Sequence, residues 1–297
     1  MTVTIEIPDK YSSLGVRSGW NPTPLNKARI WLVAPPAEGK TTLVTSNPKA
    51  LVLDLEDRAG DIINSRATYV HYPDMKGYLN LITELCKDKK AGKSYFDTIV
   101  IDTVDAFIDQ SIPYLTEKYS SKCEDIREYA GGKGGWFKMR DLLMSNLQEL
   151  TLAGYGWVVT SHVIDKELGE GNNKRIVRCP SVMDSVRKAL NNTCHLIGTM
   201  VLKDHKVKVT KKMKYKTSSG EVKESKKEIE ESQGIGFFLS FRKGTGINSP
   251  EIRDSKNSYY GLLNDYIKIP KINGWKKLEE EYELALIKAK ETQNAKS

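Results

Sequence analysis

Gly39, Lys40 and Thr41 stand together near the end of APPAEGKTTL, residues 34–43, directly behind the apolar run Ile30-Trp31-Leu32-Val33. Those three residue types in that order suit the holding of a polyphosphate. A phosphate loop needs inward-pointing backbone N–H groups, a helix N-terminus behind them and a lysine for the β- and γ-phosphates. Gly39 lets the backbone approach closely, Lys40 supplies the charge, and the Thr41 hydroxyl can hold Mg2+. Pro36, Ala37, Glu38 and Thr42 complete the nucleotide-contacting set. The pattern G-x-x-x-x-G-K-[ST] is met except at its first position, where Ala34 replaces glycine, and Ala37 replaces a common middle glycine. Alanine resists positive φ, so the loop is expected to avoid such conformations at both positions. A chance G-K-T in a surface turn is the competing reading. The order strand, loop, helix weighs against it.

Such a loop needs a carboxylate at the end of a neighbouring strand, to hold magnesium through water. FDTIVIDTVD supplies Asp102 behind Ile99-Val100-Ile101, at the strand end where open α/β sheets bind ligands. Read alone, Asp102 is a strand-terminating Asp; beside the phosphate loop, the metal role is preferred. Asp105 is a weaker candidate on the following helix. Another strand, in ALVLDLEDRAG, runs into Asp54, Glu56 and Asp57, a catalytic group or a solvated acidic loop. A fourth ends WVVTSH. His162, with Thr160 or Ser161 as substitutes, sits where it can touch a γ-phosphate, or serves as a structural hydrogen-bonder. The guanine-reading N-K-x-D motif is missing, since NKAR at 26–29 precedes the first strand and lacks the Asp. The kinase sets H-R-D and D-F-G are missing too. ATP is therefore preferred over GTP.

The elements that must position these residues follow from periodicity. Residues 29–33, 50–55, 98–102 and 156–160 are short apolar, β-branched runs that predict strands. Between them lie predicted helices around 41–46, 75–87, 104–119 and 136–152, the last closing on Gly154. Alternating strands and helices predict an α/β fold, a mostly parallel central sheet flanked by helices. Residues 1–28 read as an irregular lead-in and 29–202 as the core. Residues 203–270 read as a basic β-hairpin that completes it, and 271–297 as a terminal helix and tail. In KVKVTKKMKYK, Lys206, Lys208, Lys212, Lys214 and Lys216 share one face of a period-two strand. TSSGE is the turn, and 236–241 the returning strand.

The succession APPAEGKTTL, PKALVLDLED, YFDTIVIDTVDAF, GWFKMRDLLMSNLQEL and GWVVTSH resembles the phage-encoded nucleotide-binding ATPases with a RecA-type core, associated with single-strand annealing and recombination. The resemblance covers roughly residues 29–200. It implies ATP and Mg2+ as ligands, with Lys40, Glu56, Asp102 and His162 as the catalytic set. Glu56 is the residue that polarises or positions the attacking water. It further implies a homo-oligomer, ring or filament, with ATP at subunit interfaces. There a cation from the adjacent subunit completes the site, and Arg242, Lys243 and Arg253 are the candidates. Single-stranded DNA is the implied substrate, a single-strand DNA-binding protein a further partner, and recombination, annealing or replication the setting. The family usually reads G-P-P-G at the loop's start, so Ala34 and Ala37 depart from it, which bears on turnover more than on binding.

Charge supplies two candidate DNA contacts. The net charge is +8, and ten lysines against four acids fall between Lys203 and Glu228. Lysines on alternate strand positions recur about every 7 Å, comparable to successive phosphates, although lysines on an edge strand also prevent aggregation. The glycine loop EYAGGKGGWFKMR offers Lys133 and Trp136 for stacking on a single strand, or is a hinge whose Trp136 packs in the core. Widely spaced cysteines without a C-x-x-C pair, and the lack of a signal peptide or membrane-length apolar run, predict a cytoplasmic protein with reduced thiols. Two other function classes remain. One is a nucleotide-dependent assembly or regulatory protein with little turnover. The other is a small-molecule P-loop kinase, which should carry an arginine-bearing lid that residues 103–155 do not show beyond Arg127 and Arg140.

Overall fold

The computed structural model describes residues 9–12, 22–168, 175–216, 222–244, 252, 254–257 and 263–294. After one helical turn, α1 (Asp9–Ser12), strand β1 (Arg29–Val33) leads through the phosphate loop into α2 (Lys40–Thr45). Then come β2 (Ala50–Asp54), β3 (Thr68–Val70), α3 (Met75–Lys90), β4 (Thr98–Asp102), α4 (Val104–Lys118), α5 (Gly134–Ala153) and β5 (Gly156–Ser161). The helix boundaries follow from local chemistry. Asp74 caps α3 by accepting from Gly77 N, Thr103 caps α4 by accepting from Ala106 N, and Gly154 ends α5 at φ 95°.

The second half adds β6 (Val163–Leu168), β7 (Arg175–Pro180), α6 (Asp184–Thr193), β8 (Leu196–Lys216), β9 (Val222–Ser240), β10 (Lys256–Asn257), β11 (Tyr266–Ile269) and α7 (Gly274–Asn294). The main sheet runs β11-β9-β8-β1-β5-β4-β2-β3, with β10 on β8, and β6 and β7 form a separate hairpin. From β8 to β3 every neighbouring pair is parallel, so the expected α/β architecture is met. Strand β5 lies between the phosphate-loop strand and the strand that ends in Asp102.

Period-two alternation divides the core between the two faces of the sheet. Trp31, Val33, Ile99, Ile101, Trp157 and Val159 meet α3, α4, α5 and α6 on one face. Ile30, Leu32, Val52, Val100 and Val158 meet α2 and α7 on the other. Burial on both sides is why these strands read as continuous apolar runs rather than alternating ones. No helix among the described residues is long and apolar enough to cross a membrane.

The basic strand differs from expectation in length and anchorage. It begins at Leu196, inside the core, where Leu196 to Thr199 pair with Ile30 to Val33. Since β8 runs parallel to β1 and Thr199 is level with Val33, its later residues continue beyond the sheet edge that carries the phosphate loop. The return strand does not leave the lysines unopposed. Lys208 is in register with Glu230 and Lys214 with Glu224, while Lys206, Lys212 and Lys216 face Ser232, Lys226 and Val222. These are backbone positions; the side chains of the five lysines lie outside the described residues.

Candidate nucleotide site

The loop between β1 and α2 is fixed at both ends. Ala34 is fully buried, and its N–H donates to Ser161 O at 3.2 Å, tying the loop to β5. Contrary to the sequence expectation, Ala37 has φ 62°. Its Cβ is the smallest a chiral residue can carry and the position is exposed, so the left-handed conformation is accommodated there. Gly39 has φ 84°, and a Cβ on it would lie 3.2 Å from the Phe237 ring, so glycine is needed for two reasons. Pro36 is exposed, Glu38 and Thr42 half-buried.

Lys40 opens α2 and is 5% exposed. Its Nζ donates to Ala34 O at 2.8 Å and Pro35 O at 3.0 Å, and lies 3.3 Å from His162 Nδ1. Burial lowers its pKa, against the opposing fields of Asp102, Glu56, Asp105 and Glu38. One residue on, Thr41 Oγ1 donates to Asp102 Oδ2 at 2.8 Å, and the Thr160 hydroxyl donates to the other Asp102 oxygen. Burial raises the Asp102 pKa despite those two bonds. The Asp102–Thr103 peptide is cis.

An ammonium only donates, so the Lys40 contact makes His162 Nδ1 an acceptor and leaves the proton on Nε2. That proton points to Glu56 Oε1 at 3.2 Å, which also accepts from Thr103 Oγ1 at 2.8 Å. Lys40, His162 and Glu56 thus form a directed chain. The His162 bond, followed by that of Thr103, pulls the Glu56 pKa from 4.5 to about 2 against a desolvation that opposes it. Glu56 is therefore a carboxylate of low basicity, better suited to orient a water than to keep its proton. Asp54 is turned elsewhere: its Oδ2 accepts from Ala59 N at 2.6 Å and holds the turn that follows Glu56. Asp105 Oδ2 accepts from His162 N at 3.1 Å, and burial raises its pKa.

Lys40, Thr41, Glu56, Asp102 and His162 are thus brought into one bonded cluster at the ends of β1, β2, β4 and β5. Thr41 and Asp102 present two hard oxygen donors side by side, a set that fits Mg2+, which is held by few protein oxygens and completes its shell with phosphates and water. Sequence reasoning missed Thr103 as the second clamp on Glu56; the signal was its place next to Asp102, where it doubles as a helix cap. It also missed the β6–β7 hairpin, whose β7 residue Arg178 acts on Glu38.

The remaining candidates lie apart from this cluster. Arg242 and Lys243 are exposed beyond β9, with Arg242 Nε 3.8 Å from Asp265; Arg253 lies outside the described residues. Lys133 precedes α5. Trp136, in its first turn, is 40% exposed rather than packed in the core, because Gly135 occupies the buried position against Ile126 O.

Comparison with known proteins gives one family: the profile of an AAA domain matches residues 26–228. No curated protein matches the chain. Among solved structures, the KaiC-like protein from the hyperthermophilic archaeon Pyrococcus horikoshii OT3 aligns over 82% of this chain and 90% of its own, at 11% identity and a TM-score of 0.35.

Proposed function

Since the chain belongs to the AAA domain family of P-loop ATPases, we propose that it binds and hydrolyses ATP with Mg2+ and couples the cycle to single-stranded DNA during recombination, annealing or replication. It would work as a homo-oligomer with ATP at subunit interfaces. The observation that carries the ATPase reading is the bonded set Lys40–His162–Glu56 beside Thr41–Asp102. Lys40 would leave its loop carbonyls for the β- and γ-phosphate oxygens, while the backbone N–H groups from Gly39 onward face the β-phosphate. Thr41 and Asp102 would hold Mg2+, which neutralises phosphate charge when bound. In the reaction a water oxygen bonds to the γ-phosphorus, the bond to the β–γ bridging oxygen breaks, and ADP, phosphate and a proton leave. Glu56 orients that water, and His162 links its position to the state of the γ-phosphate. The DNA part rests on the family resemblance and on the lysines of β8.

The experiment is an ATPase assay without DNA, with single strands and with duplex, on the wild type and on Lys40→Ala. Turnover in the wild type, stimulated by single strands and abolished in Lys40→Ala, is expected. A Lys40→Ala protein with near-normal turnover would sink the site. Turnover indifferent to single strands would remove the DNA coupling and leave the ATPase.

One observation favours a second reading. A Glu56 clamped by two donors at a pKa of about 2 suits a site that binds ATP and turns over slowly. ATP would then be an assembly ligand, and its addition would raise the particle mass without releasing phosphate.

A further inference from the structure

The phosphate loop is crowded with negative charge. Glu38, Glu56, Asp102 and Asp105 all act on Lys40, the buried cation in their midst. A triphosphate entering this ring meets repulsion that one lysine and one divalent ion offset only in part. A second cation near the terminal phosphate is what the charge balance requires.

Two arginines are in reach. Arg58 Nη1 lies 3.6 Å from Glu56 Oε2, with a side chain 67% exposed, so it is largely in solvent. Arg178 is better placed. Its side chain is 29% exposed, and after burial its charge is the strongest influence on Glu38, ahead of Lys40. It stands on the β6–β7 hairpin, which springs from the His162 strand end: Val163 pairs with Pro180 at the base, and Ser181 N donates to His162 O at 2.8 Å. Arg178 is paired with Asp165 two residues above that base, a rise of about 7 Å, which a long arginine side chain spans. Its Nε lies 3.4 Å from Asp165 Oδ1. A charge-assisted bond is normally about 2.7–2.9 Å, so this one is loose and readily exchanged.

We propose that Arg178 is this chain's own clamp on the terminal phosphate of bound ATP, exchanging Asp165 for phosphate oxygens and carrying the β6–β7 hairpin with it. The guanidinium fork suits a phosphate, and a contact made only with the third phosphate distinguishes ATP from ADP. The hairpin thereby becomes the part of the surface whose position follows the nucleotide. This inference rests on the ATPase reading of the site.

The test measures ATP and ADP binding, kcat and thermal melting for the wild type, Arg178→Gln, Arg178→Lys and Asp165→Asn. Arg178→Gln should bind ADP as the wild type does and ATP about 10-fold more weakly, with kcat lower by about 10²-fold. Arg178→Lys should recover part of both. Asp165→Asn releases the arginine, so its ATP affinity should hold or rise. If the pair merely braces the hairpin, Arg178→Gln and Asp165→Asn will melt earlier alike and leave the ATP-to-ADP preference unchanged, which overturns the proposal. A wild type that hydrolyses ATP beside an unaltered Arg178→Gln sinks this inference alone. A wild type that binds no nucleotide sinks the reading of the site and this inference with it.

Discussion

At Glu56, the residue's environment decides more than its identity. Its carboxylate sits between an imidazole N–H and a threonine hydroxyl, both donating to the same oxygen. Replacing it by Gln keeps the shape and one acceptor but removes the charge that orders a water. Glu56→Gln should therefore bind nucleotide nearly as the wild type does, while turnover falls by about 10²–10⁴-fold. Single-turnover phosphate release beside equilibrium nucleotide binding separates the two effects. Asp54→Asn, by contrast, weakens the bond to Ala59 N and should act mainly through stability. Should Asp54→Asn abolish hydrolysis while Glu56→Gln does not, the role belongs to Asp54. Lys40, Thr41 and Asp102 were legible because their chemistry is tied to local spacing. Thr103 and Arg178 were not, because their partners are 47 residues away at Glu56 and on another loop at Glu38.

Among elements, the ribbon of β8 and β9 shows where pattern reading stops. The lysine strand announces itself by period two, but VKESKKEIEESQ on the return strand has no apolar alternation, and register cannot be read from one strand alone. The register places Glu224 and Glu230 opposite Lys214 and Lys208, a cross-strand arrangement that can stabilise the ribbon by itself. The two roles make opposite predictions for the quadruple change of Lys206, Lys208, Lys212 and Lys214 to Gln. If the ribbon follows a single strand, DNA affinity should fall and the salt slope flatten by up to about 3, at roughly 0.7 per phosphate contact, uniformly across sequences. If the lysines serve the ribbon itself, DNA affinity should hold while the protein melts earlier or scatters light. A salt titration of binding and a scattering measurement on one preparation decide between them.

Across the whole molecule, the α/β class was legible because strands buried on both faces must be apolar throughout. What joins the late strands to the early ones was not legible, since β1 and β8 pair across more than 160 residues of sequence. His195 marks that junction. Its N–H donates to Arg29 O at 2.7 Å, and its ring lies against the Arg29 guanidinium at 2.8 Å. Lys256, which donates to Cys194 O at 2.7 Å, adds a second positive field. Burial, then Arg29, then Lys256 push the His195 pKa from 6.5 down to about 4. The folded state thus resists a proton that the unfolded chain accepts. The associated stability is full above pH 6.5 and is lost as pH falls through 4, by at most roughly 3 kcal/mol at 1.36 kcal/mol per pKa unit. Glu56 adds a loss lower down, between 4.5 and about 2. Asp102 and Asp105, whose pKa values are raised, work the other way and favour the folded state as they protonate. Melting temperatures from pH 7 to 4 should therefore fall for the wild type, and His195→Gln, which cannot charge, should flatten that decline. Parallel declines in the two proteins would show that acid enters the fold elsewhere than at the β1–β8 junction.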